Sequence, residues 1–134
     1  MNNVELKVKV HLTGSSLLQE KKYISPVDML MRIGVLSVQD YENWRFGRVP
    51  YLEKVCKTNL SKLSFMMREL RAYARQNQLR PSWTAYNQWG VKGGKIRLRF
   101  SKSGDSSIEE GYATHYVAKT CLQSTAGNIT GTES

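Results

Sequence analysis

Apolar and polar residues alternate in twos at the start of the chain, and a spacing of three and four takes over further along. The pattern therefore predicts a mixed fold. Val4, Leu6, Val8 and Val10 fall on one side of the first alternation, against Glu5, Lys7, Lys9 and His11, which reads as a strand over 4–12. His11 is then a solvent-face residue. Residues 14–22 are polar and read as a loop.

Ser25-Pro26-Val27-Asp28 is a helix start: Ser25 caps, Pro26 suits the first helical position and Asp28 meets the positive end of the helix dipole. That helix should stop near Ile33, before Gly34. Ser37 and Asp40 repeat the signal and open a second helix carrying Tyr41 and Trp44, closed by Gly47. Pro50 then suits the first turn of a third, with Tyr51, Leu52 and Val55. This hairpin of helices is not in helix-turn-helix register, because Asp40 and Asn43 fall where buried apolar residues are needed. The longest helix is predicted over 59–77 with Thr58 as cap. Leu60, Leu63, Met67, Leu70 and Ala74 form its core stripe, widened by Met66 and Tyr73.

Beyond Pro81, which follows the helix as a stop signal, Trp83, Ala85, Asn87 and Trp89 alternate with Ser82, Thr84, Tyr86 and Gln88. After a Gly90–Gly94 turn, Ile96, Leu98 and Phe100 alternate with Arg97 and Arg99, completing a β-hairpin signal. Ser107 with Glu110 forms a capping box for a last helix holding Ile108, Tyr112, His115 and Tyr116. The predicted class is α+β. A helical N-terminal half has its long helix packed on a small antiparallel β-hairpin, the first strand joins as an edge, and the helix-then-hairpin order is that of a winged-helix module. Residues 1–121 should form a single domain, and the Ser/Thr/Gly/Asn-rich residues 122–134 a disordered tail.

Charge changes the picture. Of the net charge of +9, nearly all the excess gathers in residues 58–104, where ten basic residues face one acid, Glu69. Such a stretch attracts polyanions, although lysine and arginine on any surface also serve solubility. Arg68, Arg71 and Arg75 share a helix face by their spacing. Lys92, Lys95, Arg97, Arg99 and Lys102 make a second basic ridge on the hairpin. Phosphate contacts along both are the leading expectation, and a nucleic-acid-binding protein the leading function. The alternatives are an adaptor whose basic face meets an acidic protein, and a small enzyme acting on an anionic substrate near Arg45, Arg48 and His115.

Trp83, Tyr86 and Trp89 either stack on bases of a single strand or pack the hairpin onto the long helix. Arg45 and Arg48, before the third helix, either hold an anion or tie the loop to Asp40, Glu42 or Glu53. For catalysis the chain offers two isolated histidines, His11 and His115, and no glycine-rich phosphate loop, so no catalytic residue is assigned. Cys56 and Cys121 have no cysteine neighbours, so neither a metal nor another cofactor is expected. Residues 1–13 lack the apolar run of a secretory signal, and no run reaches the ~18 residues of a membrane span. A reduced, cytoplasmic protein without a membrane partner is expected.

The residues Trp44-Arg45-Phe46-Gly47-Arg48-Val49-Pro50-Tyr51-Leu52-Glu53, Asn59-Leu60-Ser61-Lys62, Arg80-Pro81-Ser82 with Thr84-Ala85-Tyr86, and Leu98-Arg99-Phe100-Ser101-Lys102-Ser103-Gly104-Asp105 carry a resemblance over 25–117. In this region the chain resembles a set of small uncharacterised bacterial proteins. The resemblance implies a bacterial cytoplasmic protein and brings no activity, ligand or catalytic residue.

Overall fold

The computed structural model describes residues 2–119, so the tail expected over 122–134 and Cys121 lie outside the described residues. The chain opens with α1 (Asn3–Lys21), followed by β1 (Tyr23–Ile24), α2 (Pro26–Ile33), α3 (Val38–Arg45) and a 3₁₀ turn at Leu52–Val55. Then come α4 (Leu60–Gln76), β2 (Arg80–Trp83), α5 (Ser106–Ala113) and β3 (Thr114–Val117). The architecture is α+β. Three short antiparallel strands in the order β1-β3-β2 sit beside the helices.

The first element overturns the strand expected over 4–12 and the loop over 14–22. Asn2 caps the helix in a reciprocal box with Glu5: the Glu5 amide donates to the Asn2 side chain at 2.9 Å, and the Asn2 amide donates to the Glu5 carboxylate at 3.2 Å. Leu6, Val10, Gly14 and Leu17, spaced by four, four and three, are buried against α4 and α2. Val4, Val8 and Leu12 are the exposed stripe of the same helix, at 74%, 52% and 66%. Valine's strand preference is weak, and tertiary packing overrides it here. Gly14 belongs inside this helix because α1 comes very close to its neighbours there. A Cβ at that position would stand 3.1 Å from a Tyr73 ring carbon and 3.3 Å from Ile24 Cδ1. His11 is not on a solvent-facing strand: its ring meets Tyr73 at 5.1 Å between centroids, and its Nε2 lies 3.5 Å from Glu69 Oε1.

The helices called by their caps stand as expected. The Ser25 and Ser37 hydroxyls accept from the Asp28 and Asp40 amides, and Gly34 ends α2 at φ +96°. Trp44 of α3 is wholly buried and donates through Nε1 to the Arg99 carbonyl at 2.8 Å. The expected third helix is only the 3₁₀ turn, with Pro50 ahead of it. Tyr51 just before it is extended, and Leu52 and Glu53 donate their amides to the Arg99 and Phe100 carbonyls. The cap of α4 is Asn59 rather than Thr58.

The expected hairpin is reduced. Its arms meet through one bridge, Asn87 with Arg97, and through the Gln88→Ile96 and Leu98→Tyr86 backbone bonds. The sheet forms elsewhere. β3 receives β1 on one side, with Ile24 opposite Tyr116, and β2 on the other, with Trp83 opposite Thr114. The last helix is shorter than expected: Asp105 caps it, and His115 and Tyr116 belong to β3. One continuous set of buried side chains joins Leu6, Ile24, Leu30, Trp44, Leu70, Phe100, Tyr112 and Tyr116 across these elements.

Candidate functional site

The buried stripe of α4 is Leu63, Met66, Leu70 and Ala74, and Arg68, Arg71 and Arg75 are turned to solvent. Leu60, expected in that stripe, is exposed and Met67 is half-buried, because both border a groove. Glu69, the lone acid of the basic stretch, lies on the flank of α4 that faces His11. The arginine face therefore has no acid of its own helix beside it. Among the described residues the ion pairs join other side chains: His11–Glu69, Lys21–Asp28 and Arg32–Glu20. Three guanidiniums without an ion pair among the described residues make a positive edge.

That edge borders a groove against α5. One cavity of about 760 Å³ is lined by Arg68, Arg71 and Lys102 over Leu60, Met67 and Ile108. A second, of about 470 Å³, continues past Arg71 and Arg75 to Glu110 and Tyr116. Both touch Ser107 and Gly111 of α5.

The wall opposite α4 is held by two buried-edge carboxylates. Glu109 accepts from the Phe100 amide at 3.0 and 3.2 Å, from the Ser101 amide at 2.6 Å and from the Ser101 hydroxyl at 2.5 Å. Glu53 accepts from the Lys102 amide at 2.9 Å and from the Tyr112 hydroxyl at 2.8 Å. Burial, reinforced by the Glu53 carboxylate, pushes the Tyr112 hydroxyl far above its ordinary pKa, so it remains a donor. Residues 99–102 are thereby fixed in place, with Lys102 on the rim of the groove.

The remaining sequence candidates disperse. Lys92 and Lys95 stand exposed on the glycine turn and line none of these cavities. Arg99 is tied to its own loop: Nε donates to the Ser101 carbonyl at 2.7 Å, Nη2 donates to the Lys102 carbonyl, and the guanidinium lies 5.8 Å from the Tyr51 ring. Tyr86 is 8% exposed, so it packs rather than offers a free face. Its hydroxyl bonds with Ser25 Oγ at 2.9 Å and with His115 Nε2 at 3.0 Å, and burial raises its pKa to about 12.

Arg45 lines none of these cavities and makes no ion pair among the described residues. Its guanidinium lies over the Tyr86 ring at 5.0 Å and the Trp89 ring at 4.8 Å, while Trp89 meets Tyr41 and Phe46 edge-on. Arg48 donates to Asn43 Oδ1 at 3.2 Å and covers Phe46 at 5.0 Å. Arg45, Arg48 and His115 share none of the three cavities. His115, lying against Tyr23 with its ring stacked at 5.3 Å, is held below its ordinary pKa by burial.

Trp83 and Arg97 are the exception. The indole is 51% exposed, Arg97 lies 4.8 Å from its ring centroid, and both line a further cavity of about 560 Å³, which Tyr86 and Arg99 also border.

The groove-forming role of α5 and the two carboxylate clamps escaped sequence reasoning. Glu53 lies 49 positions from Lys102, and Glu109, eight and nine positions from Ser101 and Phe100, stands on a helix whose spacing does not mark the contact. Among the described residues, no group of three or more His, Cys, Asp or Glu side chains is arranged to hold a metal ion, and no helix is long and apolar enough to cross a membrane. No protein-family model matches the sequence, and neither a curated protein nor a solved structure is similar to it.

Proposed function

We propose that this protein binds nucleic acid, with phosphates held along the α4–α5 groove by Arg68, Arg71, Arg75 and Lys102. The observation that carries this reading is the row of three solvent-facing arginines on α4, which make no ion pair among the described residues, beside two adjoining cavities of about 760 and 470 Å³. The test is fluorescence anisotropy of labelled single-stranded DNA, duplex DNA and RNA across a salt series, for the wild type and for Arg71→Glu with Arg75→Glu. Each single-strand phosphate contact contributes about 0.7 to the slope of log affinity against log salt. Four contacts give a slope of about 3, or roughly a fifty-fold loss between 50 and 200 mM salt. The double variant should bind weakly and lower the slope by about 1.4. An unchanged slope removes the groove from the interface.

A second reading, an adaptor for an acidic protein, is favoured by the exposed Leu60 and Ile108 in the same groove. A stable complex that survives nuclease treatment would support it over the first.

A further inference from the structure

The phosphate contacts leave the Trp83 cavity unused, and its chemistry differs from that of the groove. Its floor is aromatic and aliphatic: Tyr86, Leu98 and Phe100 are all buried there. Its wall carries two carboxylates, Glu109 and Glu110, balanced by the guanidiniums of Arg97 and Arg99. Glu109 is consumed by Phe100 and Ser101, whereas the Glu110 side chain has no hydrogen bond or ion pair among the described residues. An apolar floor beside an open indole favours a neutral planar ring.

Position supports the same occupant. Glu110 borders both this cavity and the one lined by Arg71 and Arg75, so the two lie on either side of that residue on α5. A strand with its phosphates on α4 thus has an apolar, aromatic-lined recess next to its path. Arg97 caps the indole and keeps an exposed guanidinium for a neighbouring phosphate. Of the three rings that sequence analysis offered for stacking, Tyr86 is the floor and Trp89 is packed among Tyr41, Phe46 and Arg45. Trp83, on the edge strand β2, is the most exposed of the three at 51%, against 37% for Trp89, and the one of the two exposed rings that lines this cavity.

We propose that the ligand is single-stranded nucleic acid and that one unpaired base enters the Trp83 cavity, stacking on the indole. The proposal rests on the phosphate reading above. A base within a duplex is already paired and stacked, so only a single strand or a flipped nucleotide offers it.

The experiment measures anisotropy with four probes: a labelled single-stranded DNA 12-mer, the same 12-mer carrying an abasic site at each position in turn, its duplex, and inorganic polyphosphate. The proteins are the wild type, Trp83→Ala, Trp83→Phe, and Arg71→Ala with Arg75→Ala. Melting by circular dichroism confirms that each is folded. The expected results are tighter binding of the single strand than of the duplex and a loss of about 5- to 100-fold with Trp83→Ala, the range of one base–aromatic stack. Trp83→Phe should retain most of the affinity, one abasic position should weaken wild-type binding, and polyphosphate affinity should be unmoved by either Trp83 variant. If Trp83→Ala and every abasic probe bind as tightly as their parents while the arginine variant is weakened, the base cavity is overturned and the phosphate reading stands. If neither DNA nor polyphosphate binds at low salt, both are overturned.

Discussion

Replacing Glu109 by glutamine should loosen the segment that holds Lys102 on the rim of the groove. In the native protein this carboxylate receives two backbone amides, Phe100 and Ser101, and the Ser101 hydroxyl. Hydrogen bonds to a charged acceptor contribute about 1.5–3 kcal/mol each, and a buried donor left without a partner costs about 1–3 kcal/mol. Glutamine keeps the shape, and with its oxygen in the Oε2 place it still accepts from all three donors, but the acceptor is then neutral and the new NH2 stands in the Oε1 place, 3.0 Å from the Phe100 amide. The expected loss is about 2–4 kcal/mol, a large share of the ~5–15 kcal/mol that holds a domain of ordinary stability.

Urea unfolding followed by tryptophan fluorescence reads this as a midpoint lowered by roughly 1–2 M at an unchanged slope. The control is the adjacent Glu110→Gln, whose side chain has no hydrogen bond or ion pair among the described residues and which should stay within about 0.5 kcal/mol of the wild type. If the two variants unfold at the same urea concentration, the clamp does not hold residues 99–102.

Two further outcomes follow from packing and burial. Gly14→Val places branched carbons where even a Cβ stands 3.1 Å from the Tyr73 ring; it should destabilise by about 1–3 kcal/mol, read by thermal melting, although removing a mid-helix glycine ordinarily helps. His115 is held below its ordinary pKa by burial, so the unfolded chain binds the proton more readily and folding stability falls as pH drops through about 6.5. Urea midpoints between pH 7.5 and 5.5 should show that decline, and His115→Gln should flatten it.

The local chemistry of the chain determined much of this fold without help. Ser25, Pro26 and Gly34 bound α2, and Ser37 opens α3, because capping and φ restriction act within one turn of the residue itself. The spacing of Leu63, Met66, Leu70 and Ala74 set the buried face of α4 and therefore turned Arg68, Arg71 and Arg75 outward. What failed is equally specific. Over 4–12 the same valines fit a strand alternation and a helix, and only the docking of Leu6, Val10 and Leu17 on α4 and α2 chooses between them. The Asn2–Glu5 box and the four-residue spacing of Leu6 and Val10 were the available signals.

The hairpin pattern over 83–100 described a real alternation, but strand partners are chosen by register between distant segments. There β2 found β3 beyond α5. The site divides along the same line: its arginines were legible in a helical period. The groove that gives them a use depends on Glu53 and Glu109 reaching 99–102, and the fate of Tyr86, Trp89 and Arg45 depends on which rings meet. Those contacts join residues up to 59 positions apart, and one-dimensional spacing carries no information about pairs at that separation.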